Sequence, residues 1–166
     1  LVQIIDVEKI LAQLNPQGVD SLDQTVPQRQ PSDYHVLVVD DSAVARGQIR
    51  RTLEKLGVGI TLANDGEQGL QLLQAWADDP GSPFERLLMV ISDIEMPRMD
   101  GYALTNAIRQ GARLSHLYVL RHTSLSGMFN EELARRIGAS DFLTKFHPAE
   151  LAERVAKRLD EVMTAV

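Results

Sequence analysis

From residue 34 onward the chain alternates between two apolar patterns. Val36-Leu37-Val38-Val39 is an unbroken, β-branched run, the mark of a strand buried on both faces. Ser42 then provides an N-cap for a helix over 43–56, with Val44, Ile49 and Leu53 among its apolar positions and Gly57 at its end. Ile60-Thr61-Leu62-Ala63 reads as a second strand. The Asp65-Gly66 turn leads into a helix over 66–78 carrying Leu70, Leu72, Leu73 and Trp76, which packs under that helix. After the loop Asp79-Pro80-Gly81-Ser82-Pro83, the most apolar strand, Leu87-Leu88-Met89-Val90-Ile91, runs into Ser92-Asp93. The scheme continues with helices predicted over 101–110, 127–137 and 148–163 and strands over 117–122 and 141–144. Five strand–helix units imply an α/β, doubly wound parallel sheet with helices on both faces, joined by right-handed crossovers. Ligands of such sheets sit beyond the carboxyl ends of the strands, so chemistry is sought there.

The first 33 residues follow a different pattern. Leu1-Val2-Gln3-Ile4-Ile5 is a short apolar run, and Asp6 can cap a helix with Val7, Ile10, Leu11 and Leu14 on one face. A helix this short is marginal alone, so residues 1–14 want a surface from this chain, a second copy (a homodimer) or a further domain. Residues 15–33, with Pro16, Gly18, Pro27 and Pro31 among polar residues, read as a linker, and residues 34–166 as the folded domain.

Composition narrows the chemistry. With 17 basic against 23 acidic residues the net charge is −6, which argues against a nucleic-acid or anionic-membrane surface. There is no cysteine, which excludes disulfides, thiolate metal sites and cysteine nucleophiles. No apolar run reaches the roughly 20 residues that span a bilayer. The start carries neither an initiator Met nor the basic region of a signal peptide, so a piece of a longer cytoplasmic protein is expected.

The predicted strand ends carry Asp40 and Asp41, then Asp93, then Thr123, then Lys145. An Asp in such a place is more often a turn former or cap, and Thr123 or Lys145 alone would be a strand terminus or a solvated side chain. Complementary groups at four of five ends make the functional reading the better one. Converging carboxylates repel unless a cation neutralises them, and hard oxygen ligands suit Mg²⁺. A lysine and a hydroxyl opposite would stabilise a transferring phosphoryl group.

Val38-Val39-Asp40-Asp41-Ser42, the run from Ser92-Asp93 through Met96-Pro97 to Asp100-Gly101, and Gly138-Ala139-Ser140-Asp141-Phe142-Leu143-Thr144-Lys145 together resemble response-regulator receivers over residues 34–164. The resemblance implies a flavodoxin-like (CheY-like) five-stranded (βα)5 fold. It implies Asp93 as phosphoacceptor, with Asp40, Asp41, Asp93 and the Glu95 backbone carbonyl holding Mg²⁺. Thr123 and Lys145 would bind the phosphoryl group, and Phe142 matches the switch aromatic, although a plain core Phe fits its spacing equally. The chain departs from the pattern at Lys145-Phe146-His147-Pro148, where the family has Pro directly after the lysine. It also has bulky Leu125 where the family borders the phosphoryl group, which implies a long-lived acyl phosphate. Residues 1–11 resemble the closing strand and helix of a CheW-type domain, and Thr123-Ser124-Leu125-Ser126 and the Lys-Phe-x-Pro variant point the same way, to the CheV-type coupling layout. That layout implies a CheA-like histidine kinase as phosphodonor, attachment to the chemoreceptor–kinase array through the CheW-like part, and no enzymatic turnover beyond self-phosphorylation and slow autodephosphorylation.

Three other readings were open. A stand-alone diffusible regulator leaves residues 1–33 without a role. A haloacid-dehalogenase-type phosphatase wants Asp-x-Asp after the first strand, where this chain has adjacent Asp40-Asp41. A pseudo-receiver would not need the full set of strand-end residues. The ending of the chain after its last helix argues against a DNA-binding output domain. His35, His116, His122 and His147 lack metal-ligand spacing, and Met96 and Met99 read as packing residues.

Overall fold

The computed structural model describes residues 29–124, 135–136 and 138–165. The reading of residues 1–14, most of the linker, Leu125 and nearly all of the helix over 127–137 lies outside them; Arg135 and Arg136 are helical. The described end of the linker is a 3₁₀ turn, Pro31–Asp33. Then follow β1 (His35–Val39), α1 (Ala43–Leu56), β2 (Gly59–Ala63), α2 (Gly66–Ala77), β3 (Leu87–Ser92), α3 (Gly101–Gln110), β4 (Val119–Thr123), β5 (Asp141–Thr144) and α4 (Pro148–Thr164). All pairings are parallel and the strand order is β2-β1-β3-β4-β5, the flavodoxin-like arrangement.

The central strands β1, β3 and β4 are buried on both faces, and the edge strands β2 and β5 are mostly half-buried. Val36 and Val38 pack with Ile49, Leu53, Leu151 and Val155 on the α1/α4 side. Leu37 and Val39 face the other way, onto Leu73, Leu104 and Ile108 under α2 and α3. This period of two, apolar in both phases, is why β1 reads as a continuous run. The helices begin where the short polar residues stand. Ser42 accepts from the Ala45 N–H at 3.2 Å, Asp65 from the Gln68 N–H at 2.9 Å and Asp100 from the Ala103 N–H at 2.8 Å. Gly57, at φ 84°, ends α1 in the left-handed conformation that a glycine adopts without strain.

One boundary moves appreciably. The strand expected over 117–122 covers Val119–Thr123. Arg109 is the cause: its guanidinium donates to the carbonyls of Ser115 at 2.9 Å and Leu117 at 2.6 Å and to Ser140 Oγ at 3.0 Å, while its Nε donates to the Gly138 carbonyl. Residues 111–117 are thereby held as turns, and Leu114 and Leu117 enter the core from those turns. Trp76 is partly buried at the same face and meets the His35 ring edge-on at 5.7 Å, and Met96 and Met99 pack there too.

Candidate functional site

The carboxyl ends of β1 and β3 are adjacent in the sheet, and this brings Asp40, Asp41 and Asp93 together. Each offers an oxygen, and the three lie within 4.8 Å of one another. Asp40 and Asp93 are buried and Asp41 is exposed, so the cluster opens to solvent on one side. The backbone fixes the two buried members. The Asp40 N–H donates to the Ala63 carbonyl at 3.1 Å, and the Asp93 N–H to Val39 at 2.9 Å. Asp40 Oδ1 accepts from the Ser42 N–H at 2.8 Å, and Asp93 Oδ1 from Ile94 N–H at 2.8 Å. Arg46, one turn into α1, donates to the Asp40 carbonyl at 2.6 Å.

Lys145 arrives from the other end of the sheet. Its N–H donates to the Thr123 carbonyl at 2.5 Å, continuing the β4–β5 ladder one residue past the strand. Its ammonium lies 2.9 Å from Asp40 Oδ2 and 3.2 Å from Asp93 Oδ2. Among the described residues it is the only compensation that Asp40 Oδ2 receives. Burial works against the Lys145 charge, but the bonds and charges of the two carboxylates outweigh it and hold the ammonium above its ordinary range. The Asp93 carboxyl is pushed up to about 6, first by burial and then by the Asp40 charge; Lys145 and the Ile94 N–H act in the opposite sense.

The other expected residues stand around this centre. Thr123 is buried at the end of β4, and its link to the cluster among the described residues is through its carbonyl to Lys145. Glu95 is exposed and lines, with Asp41, Ile94, Met96, Asp100 and Tyr102, the depression outside the carboxylates. Phe142 is half-buried in β5, beside Arg121 of β4 in the strand register. After Lys145 the chain turns with Phe146 at φ 68°, left-handed and 64% exposed, where the resemblance implied proline.

Two residues near the site were not foreseen. Arg98 forms an ion pair with buried Asp65, the N-cap of α2, and so clasps the β3–α3 loop onto that helix. Arg121 is fully buried, its guanidinium 5.2 Å from the Tyr102 ring centroid and without a hydrogen-bond partner among the described residues. A Cβ on Gly101 would collide with both that guanidinium and the Asp93 carbonyl, so only glycine lets α3 start this close. The available signal was slight: Arg121 directly follows the apolar run Tyr118-Val119-Leu120, where a buried strand rarely carries a charge, but the sequence does not tell which face it takes.

The donor set fits a hard divalent cation: three carboxylate oxygens, one exposed side, and a buried carboxyl whose charge is destabilised by its neighbour. Comparison with known proteins agrees with the geometry. Residues 36–156 match the model of the response regulator receiver domain. The chain is 33% identical over 159 residues to the chemotaxis protein CheV3 of Helicobacter pylori, covering 95% of this chain and 51% of that protein. The CheV1 protein of the same organism is 29% identical over 98% of the chain and 50% of its own length. The chain thus spans about half the length of these relatives. Among solved structures, the chemotaxis protein CheY4 of Vibrio cholerae superposes with a TM-score of 0.64 at 27% identity, over 75% of this chain and 97% of that one.

Proposed function

The chain belongs to the response regulator receiver family, with a phosphorylation-dependent signalling role, and from that premise we propose that Asp93 is its phosphoacceptor. The observation that carries the assignment is the Asp40–Asp41–Asp93 cluster, with Lys145 in contact with two of its members. Asp93 attacks the phosphorus of the donor; the new P–O bond forms as the bond to the leaving group breaks, and the leaving group departs with the electron pair. Its nucleophilic carboxylate is ionised at neutral pH, above its value of about 6. Mg²⁺, held by Asp40, Asp41, Asp93 and the Glu95 carbonyl, would neutralise charge on the transferring group and orient it. Lys145 offers its ammonium to the phosphoryl oxygens, and the Thr123 hydroxyl a hydrogen bond. Movement of Thr123 toward the phosphoryl group opens space for Phe142, and the two relay the change to the surface around the last two helices of the domain.

The phosphodonor is a histidine kinase of the CheA type, and the parent protein a coupling protein of the CheV type, with a CheW-like part ending near residue 14 and a linker to residue 33. Similarity to the sensor histidine kinase CheAY of Helicobacter pylori, at 31% identity over 136 residues, supports a place in chemotaxis signalling. In this reading the protein is cytoplasmic and turns over no external substrate beyond its own acyl phosphate. No helix among the described residues is long and apolar enough to cross a membrane.

Incubation with Mg²⁺ and acetyl phosphate, followed by intact-mass measurement, tests the assignment. One added phosphoryl group, absent in Asp93→Asn and in EDTA, is the expected result. No adduct in any sample would leave a pseudo-receiver, and steady phosphate release from unrelated phosphomonoesters would point to a phosphatase.

A further inference from the structure

On the face of the sheet under α1 and α4 lies a cavity of about 350 Å³. Its floor is apolar, made by Ile49 of α1 and Leu151 of α4, and Phe146 forms a wall. Arg51 and Lys55 stand at its α1 rim, one turn apart and exposed. Neither has an acidic partner among the described residues, whereas Arg50 on the other flank of α1 pairs with Glu54 at 3.4 Å. No carboxylate among the described residues lines the cavity, in a chain whose net charge is −6.

The second observation is His122. It lines the cavity from β4, only 5% exposed, and its Nδ1 has no hydrogen-bond partner among the described residues. A buried ring nitrogen without a partner is costly and calls for one. Burial, and then the charges of Lys145 and His147, push the imidazole down to about 4, so at neutral pH it is uncharged, with one N–H to donate and one nitrogen to accept.

We propose that this cavity is a binding site for a small organic anion with a flat apolar body, seated between Ile49, Leu151 and Phe146 and paired by its charged group to Arg51 and Lys55. Its volume lies at the small end of the range of small-molecule sites, and apolar walls with a few convergent polar groups are their usual make-up. Phe146 fits this role: exposed, and held left-handed where a β-carbon is unfavourable, it gains nothing from the core by standing there. The site shares no residue with the carboxylate cluster.

The test uses the whole chain, histidine-labelled for NMR, with 2-naphthoate as probe. Acetate (charge without body) and 2-naphthalenemethanol (body without charge) run beside it. Saturable shifts of the His122 ring signals by naphthoate are expected, with both controls weaker. The Arg51→Gln/Lys55→Gln variant, both sites being exposed, keeps the parent's melting curve and binds about tenfold more weakly. Binding is unchanged in Asp93→Asn, which separates this site from the phosphoacceptor. Absence of saturable shifts, equal binding of the neutral analogue, or parent-like affinity in the double variant would each overturn the proposal.

Discussion

Burial, and then an Asp40 charge that the one ammonium of Lys145 only partly offsets, set the behaviour of Asp93. Its carboxyl lies near 6 in the fold against 3.8 ordinarily, so ionising it works against folding at neutral pH. That penalty is present in full above pH 6 and vanishes below about pH 4. Without divalent cations, Asp93→Asn therefore stabilises the protein at pH 7, by no more than about 2 kcal/mol once screening at the open side is allowed for, and by less at pH 4. Urea unfolding at both pH values, in EDTA, measures it. His122 works in the other direction. Its folded value of about 4 lies below the ordinary 6.5, so below pH 6.5 the unfolded chain binds a proton that the fold excludes. Stability is lost as pH falls from 6.5 to 4, by on the order of 3 kcal/mol. Asp93 opposes this over part of the window, so the imidazole is isolated by subtraction: the parent should lose stability relative to His122→Leu as the pH falls, and parallel curves would remove His122 as the cause. Strand-end residues were readable from sequence because each follows an apolar run that fixes where its strand stops. His122 and Arg121 were not, because two polar residues at the end of an apolar run say nothing of which face each takes or what it meets there.

At the scale of elements, periodicity and caps carried most of the information. Helix α1 falls where Ser42 and Gly57 mark its ends, and α3 covers the expected 101–110. The start of β4 was misplaced because Leu117 is as apolar as a strand residue, and what draws it into a turn is Arg109, eight positions earlier. No local pattern reports a side chain that reaches that far. The turn after Lys145 was rightly singled out as unusual, and its physical content is the left-handed Phe146. Replacing that residue with glycine removes the β-carbon from an unfavourable conformation while exposing no core, since Phe146 is 64% exposed. Phe146→Gly should thus raise stability by about 0.5–1 kcal/mol, read as a higher urea midpoint at unchanged m-value. A lower midpoint would mean that the ring packs more tightly in solution than its exposure allows.

The whole molecule couples these local charges to folding through whatever cation the acid cluster binds. A ligand held by the native state alone stabilises it by RT ln(1 + [L]/Kd), about 2.7 kcal/mol at a hundredfold excess over Kd. For a domain of this size that is a rise in Tm on the order of 8 °C. The same carboxylates that weaken the metal-free fold supply this gain, so the two effects cannot be tuned separately. Asp93→Asn begins higher, because it removes one repelling charge, but should gain less from Mg²⁺, because it also removes one of the three charged oxygens proposed to hold the ion. Plotted against Mg²⁺ concentration at pH 7, the Tm curves of parent and variant should converge and cross. Two parallel curves would mean that the carboxylates hold no metal, and that Lys145 alone balances the site. Crossing would show why the fold tolerates a destabilising cluster at its sheet edge: the repulsion that costs stability when the site is empty is the affinity that gathers the cation when it is filled.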